Sequence, residues 1–223
     1  MAIKQKSLKG IKTTSVSLPY DLSIKMKEDI LSGKMKNGEK LVEQKICKDY
    51  QVSRTPVREA LSRLEAEGLV TNIPNRGSFV RGISDDEMID IFTLRKIYEI
   101  QAMRWAIERI TDEELEELEE NFEFMVFYTK RNDVEKMLNI NALFHRLIYK
   151  ASHNYMLCKM LSSYQIYVKY HKKNSGNHPD YLNNVLTEHR AIYNSFLQKD
   201  IEVGANAMEI HMNNSMKRHG III

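Results

Sequence analysis

The fold is decided by residues 52–70, "VSRTPVREALSRLEAEGLV". Val57, Ala60, Leu61 and Leu64 recur at helical spacing and make one apolar face. Arg54, Arg58 and Ser62 fall on the opposite side. The first turn of a helix carries partial positive charge and favours acidic residues. A basic first turn therefore points to a polyanion bound from outside. Thr55 and Pro56 read as cap and first helical position, because the missing N–H of proline costs nothing there. Ser53 is the alternative cap, and the two remain open.

Upstream, residues 20–32 place Leu22, Met26, Ile30 and Leu31 on one helical face, with Gly33 as a stop. The loop GKMKNGEK leads to a second short helix over 43–50, and residues 51–52 turn into the third. Past Gly68, LVTNIPNRGSFVRG has two apolar runs around a Pro-Asn-Arg-Gly tip, the pattern of a two-stranded hairpin. Three helices and a hairpin make residues 18–82 a winged helix-turn-helix. Such a fold sets the N-terminal end of its third helix in the major groove of double-stranded DNA. There guanine O6 and N7 accept a bidentate arginine, which suits Arg54 and Arg58. Ser53 and Thr55 hydroxyls suit phosphate. Arg76 and Gly77, with Asn75, form a wing tip that fits the adjacent minor groove. The competing reading leaves both helix arginines as solvated surface, with Arg58 paired to Glu59 or another neighbour.

Charge is divided unevenly. Through residue 82 the chain has 16 Lys and Arg against 9 Asp and Glu, and from 83 onward 17 against 21. A polyanion-binding front joined to a differently employed back is the expectation. Residues 1–17 read as a disordered basic arm. Cys47 and Cys158 are too few for a disulfide framework or a thiolate zinc site and suit a reducing cytosol. No apolar run reaches membrane-spanning length, so a cytoplasmic location without a membrane partner is expected.

The character changes at Ser84. Ser84 with Glu87, and Thr111 with Glu114, are capping-box pairs that open helices. The first helix runs to about residue 108 and is expected to turn Met88, Ile91, Leu94, Ile97, Tyr98 and Trp105 inward. Further helices are expected near 133–151, 154–173, 180–198 and 200–218. Residues 83–223 thus read as an all-α bundle of six or so helices, making the chain mainly α. His145 shares a helical face with Asn141, Leu138 and Ile148. His189 lies with Ile192 and Phe196, and His211 with Met208 and Met212. Three convergent imidazoles suit a divalent metal ion such as zinc, with one position left for water or ligand. Taken singly, each also reads as a satisfied core histidine. Arg95 falls inward as well, either paired with Glu99 or clamping a carboxylate effector. Tyr164, Tyr167 and Tyr170 read as packing or a dimer face.

The opening stretch, followed by "NRGSFV", resembles the DNA-binding domain of GntR-family transcriptional regulators. The likeness implies base reading by Arg54 and Arg58, phosphate contact by Ser53 and Thr55, and Gly77 in the wing. Some relatives have a basic DNA-contacting residue where this chain has Gln44. The stretches "LRKIYEIQAMRWA", "NALFHRLIYKASHN", "TEHRAIYNSFLQKD" and "AMEIHM" resemble the FCD effector domain of the FadR-like branch. That likeness implies metal ligation by His145, His189 and His211, beside an aspartate whose position is Asn141 here. An amide oxygen is a poorer ligand and removes one negative charge. His153 stands where relatives usually have glycine and reads as a helix-break variation. The expected function is a ligand-responsive repressor. It binds a pseudo-palindromic operator as a homodimer and answers to a small carboxylic acid near the metal. The alternatives are an architectural DNA-binding protein without effector and a zinc-dependent hydrolase. The hydrolase lacks any H-E-x-x-H or nucleophile motif.

Overall fold

The structure is a computed structural model that describes residues 18–171 and 180–221. Residues 1–17, where the basic arm is expected, lie outside the described residues. The chain divides into two compact units, residues 1–83 and 84–223.

The first unit holds α1 (Leu18–Leu31), β1 (Lys40–Leu41), α2 (Glu43–Asp49), α3 (Arg54–Ala66), β2 (Val70–Ile73) and β3 (Gly77–Val80). Leu22, Met26 and Ile30 of α1 and Ile46 of α2 close over Val57, Ala60, Leu61 and Leu64 of α3. Leu31 is only half-buried. Ser53 is the residue before α3, so the boundary falls at Ser53 and not at Thr55. The ribbon has a third strand that the sequence did not announce. β1 pairs with β3 through Lys40 to Phe79 and Leu41 to Ser78, giving the antiparallel order β1-β3-β2. Two residues are too short to display alternation, so β1 exists only through its partner. At the wing tip the Arg76 N–H donates to the Ile73 carbonyl at 3.0 Å. Asn75 takes φ 61° and Gly77 φ 94°. Proline at the second turn position and asparagine with positive φ at the third meet the demands of a type II turn.

The second unit is helical: α4 (Asp85–Arg109), α5 (Asp112–Lys130), α6 (Val134–Ala151), α7 (Tyr155–Tyr170), α8 (Tyr181–Gln198) and α9 (Ile201–Arg218). Both expected capping boxes form, Ser84 with Glu87 and Thr111 with Glu114. α4 packs along α9, α6 and α7, and α5 along α6 and α8. Its core joins Met103, Phe122, Phe144, Ile148, Ile192, Phe196, Met208 and Met212. Among the described residues, no helix is long and apolar enough to cross a membrane.

The inner face of α4 differs from the expected one. Leu94 and Ile97 are exposed, at 40% and 56%, whereas Phe92, Arg95 and Glu99 are buried. Ile91, Tyr98 and Trp105 are half-buried. Leu138 of α6 is also exposed. An apolar count fails on α4 because its centre buries an ion pair in place of two aliphatic residues. His153 ends α6 with φ 49°, a left-handed conformation that costs an ordinary residue about 1–2 kcal/mol and favours glycine. Its Nε2 lies 2.9 Å from Glu114, away from the other histidines.

Candidate functional site

The first unit presents the residues expected to meet DNA outward. Arg54, Thr55 and Arg58 are exposed along one side of α3, and Asn75, Arg76 and Gly77 along the wing tip. Ser53 caps α3 by position, yet its hydroxyl makes no cap hydrogen bond. That oxygen therefore stays open to an outside partner. Arg58 donates from Nε to both oxygens of Glu43, at 2.9 and 3.0 Å. The partner is Glu43, at the start of α2, and not Glu59. A pair at this exposure is screened by water and contributes little stability, so its effect is on where the guanidinium points. Arg76 and Lys40 flank the Phe79 ring from 5.9 Å each.

The second unit gathers His145 of α6, His189 of α8 and His211 of α9 in its interior, at 1%, 0% and 4% exposure. Their available ligand nitrogens all lie within 4.8 Å of one another. Each Nδ1 is already engaged. That of His145 meets Glu99 at 2.7 Å, that of His189 the Val185 carbonyl at 2.8 Å, and that of His211 Glu188 at 2.8 Å. Such contacts fix the tautomer, with the proton on Nδ1 and the Nε2 lone pair free. Nε2 of His145 and of His189 are buried without any partner. Orphaned acceptors in a core cost about 1–3 kcal/mol each, and a cation between them would remove that cost.

These donors suit a metal on three counts. Neutral imidazole is the ligating form, and burial followed by the neighbouring histidines holds His189 well below its ordinary pKa. Burial likewise pushes His211 down to about 4, against the pull of Glu188. A carboxylate, a carbonyl and a second carboxylate behind three imidazoles form the outer support that metal-binding histidines characteristically have. A metal–nitrogen distance of about 2.0–2.1 Å sets tetrahedral ligand atoms about 3.4 Å apart, within small ring movements of the observed cluster. Asn141 precedes His145 by one turn on α6, and its Oδ1 is buried and unpartnered.

Around this cluster the acids are themselves compensated. Arg95 meets Glu99 at 2.6 Å, both buried, and the Tyr149 hydroxyl donates to Glu99 at 2.5 Å. Burial raises the Glu99 carboxyl, but Arg95, His145 and Tyr149 outweigh it and hold it well below the usual range. Arg218 forks onto both oxygens of Glu188, at 2.8 Å each, and Asn214 donates to it at 2.9 Å. Burial of Glu188 is outweighed by hydrogen bonds from Arg218 and His211, which bring its pKa down to about 2. Glu188 also lines an open cleft of about 450 Å³ between α8 and α9, with Asn184, Thr187, Asn214, Lys217 and Arg218. Of the two alternatives for Arg95, the pairing with Glu99 is present, and its Nε remains buried without a partner.

Sequence reasoning did not find the supports. Glu99 lies 46 residues from His145, and Glu188 lies 23 from His211. Nothing local marks such contacts, although a Glu directly before His189 and an Arg–Glu pair at i,i+4 on a buried face were visible.

A winged helix-turn-helix with a separate helical unit built around a ligand-type cluster defines the class of DNA-binding regulators with a sensor domain. The model described as "Bacterial regulatory proteins, gntR family" matches residues 22–80, and that of the FCD domain matches residues 90–214. The chain belongs to the GntR family of transcriptional regulators, in the group whose effector domain is FCD. It is 30% identical over 158 residues to the HTH-type transcriptional regulator McbR of Escherichia coli (strain K12), covering 71% of each chain. It is 28% identical over 201 residues to the uncharacterized HTH-type transcriptional regulator YdhC of Bacillus subtilis (strain 168), covering 87% of this chain and 88% of that one. The solved structure of E. coli McbR/YncC shares the fold, with a TM-score of 0.74 at 24% identity over 92% of this chain and 98% of the other. With such relatives the chain is a regulator and not an enzyme, and the hydrolase alternative is set aside.

Proposed function

We infer that the protein is a homodimeric repressor of a pseudo-palindromic operator, released when a small carboxylic acid binds beside a divalent metal, such as zinc, in its FCD domain. The observation that carries this reading is the set of three buried imidazoles, their Nδ1 atoms held from behind and two Nε2 atoms left bare. His145, His189 and His211 would hold the ion, with Asn141 Oδ1 beside them. The metal supplies a Lewis-acidic position for an anionic oxygen. Arg95, whose Nε has no partner, would bind the carboxylate.

On the DNA side, Arg54 and Arg58 read base edges, Ser53 and Thr55 fix register on phosphate, and Arg76 and Gly77 enter the minor groove. One domain offers too few contacts for operator affinity, so two copies bind half-sites about one helical turn apart. The exposed Leu94 and Ile97 of α4 favour a second copy as partner. An acid relieves repression only by binding the two dimer arrangements with different affinity.

The test begins with metal analysis of the purified chain and a thermal-shift screen of small carboxylic acids. Operators selected from a random duplex pool are then titrated with protein by fluorescence anisotropy. A stabilising acid that also weakens operator binding, and loses its effect on chelation, is the expected result. Retained operator affinity under every stabilising acid would defeat the sensor reading.

A further inference from the structure

We propose that Glu43 is a specificity-determining residue: it shields Arg58 from phosphate, so that this arginine adds to binding only where a base edge offers it uncharged acceptors. The inference rests on the assignment of Arg58 to base reading. It deepens that assignment by naming the group that keeps the same arginine from holding every duplex alike.

Of Arg54, Arg58 and Arg76, Arg58 is the one joined to an acid among the described residues. Arg76 lies over the Phe79 ring, 5.9 Å from its centre. Glu43, the first residue of α2, accepts from Arg58 Nε on both carboxylate oxygens, at 2.9 and 3.0 Å. Arg58 and Glu43 both stay in contact with water, at 67% and 35% side-chain exposure. An acid there has no core to complete, and it opposes the approach of a polyanion. Its effect on DNA binding is therefore selective or simply adverse, and the geometry favours the first.

Glu43 engages Nε and leaves both Nη groups of the guanidinium for a second acceptor. Phosphate and base edge compete for them. A phosphate is charged, and sequence-independent affinity comes from the cations that neutralise phosphates. The carboxylate lies 2.9 Å from the guanidinium, far inside a screening length of about 10 Å at 0.1 M salt. The pair thus presents little net charge to a phosphate. Guanine O6 and N7 carry no formal charge and accept on geometry. The Nη donors still meet them, because an acid on Nε removes none of the N–H groups beyond it. Glu43 subtracts from binding to any duplex and leaves the base contact standing. Discrimination then improves by weakening the wrong complex.

Operators selected from a random duplex pool, and a scrambled duplex of the same length, are titrated by fluorescence anisotropy across a salt series. The full-length chain is compared with Glu43→Gln, which keeps the shape and removes the charge. On the scrambled duplex the variant should bind about fivefold tighter at 0.1 M salt, with a salt slope steeper by about one per protomer. Operator affinity should change less than about twofold, so the preference for the operator falls. In an Arg58→Ala background the same exchange should have no effect, because the shield then covers nothing. An unchanged or larger preference in Glu43→Gln overturns the proposal. So does operator affinity lost with scrambled-duplex affinity unchanged, which would make Glu43 a positioning residue. An effect that persists in the Arg58→Ala background overturns it too, while leaving Arg58 as a base reader. A wild-type chain that selects no sequence from the pool removes the base-reading assignment itself, and the proposal with it.

Discussion

Arg58 and Glu43 are joined across the helix-turn-helix, with Nε of the arginine 2.9 Å from one carboxylate oxygen and 3.0 Å from the other. The pair ties the exposed side of α3 to the start of α2 and leaves both Nη groups of the guanidinium for another acceptor. Arg58→Ala should weaken operator binding by about 1–3 kcal/mol and relax preference at one base pair. Arg58→Lys should not rescue it, because an ammonium cannot present a planar fork while engaged by Glu43. Anisotropy titrations against the operator and its single-base variants measure both. Full affinity and full preference in Arg58→Ala would remove this residue from base reading.

The wing makes a different demand. Arg76 projects from an exposed turn held by Asn75 and Gly77. If it meets sugar and phosphate, Arg76→Ala should weaken all duplexes about equally and lower the salt slope by about one. An altered base preference with an unchanged slope would mean that it reads sequence.

Glu99 supports three partners at once: Arg95, His145 and Tyr149. Removing one member of a buried ion pair strands the other, at about 3–5 kcal/mol. Glu99→Ala should lose that much in urea denaturation of metal-free protein. A loss below 1 kcal/mol would show that the pair is solvated in solution.

Gly204 lies where α9 crosses α4. A Cβ there would collide with Ile107 and come within 2.8 Å of Ser195 and 3.0 Å of Met103. Gly204→Val should overpack this crossing and cost about 1–3 kcal/mol. Equal denaturation midpoints for variant and wild type would mean that the helices separate freely.

His219 gives the sensor domain a dependence on acid. Burial, with Arg95, His171 and Arg218 nearby, brings its pKa down from 6.5 to about 4. The unfolded chain therefore takes up a proton first as pH falls. Stability from this residue is complete above about pH 6.5, declines as pH falls, and is exhausted near 4. In His219→Gln the loss of stability between pH 7 and 4.5 should shrink by about 2–3 kcal/mol. Parallel stability curves for the two proteins would mean that His219 titrates normally.

What the sequence determined by itself was local. Ser84 with Glu87 and Thr111 with Glu114 mark helix starts because a capping box closes within four residues. The face of α3 follows from spacing alone, and the outward arginines follow from that face. The inward histidines were visible for the same reason, each on the apolar side of its own helix. Tertiary structure decided whatever depends on a distant partner. β1 is a strand only because β3 lies beside it. Leu94 and Ile97 turn out against their apolar character, while Arg95, inward by spacing, is joined in the core by Glu99, because buried charges tolerate the core only as a pair. The supports of His145 and His211 come from other helices, and no periodicity encodes which acid will stand behind which imidazole.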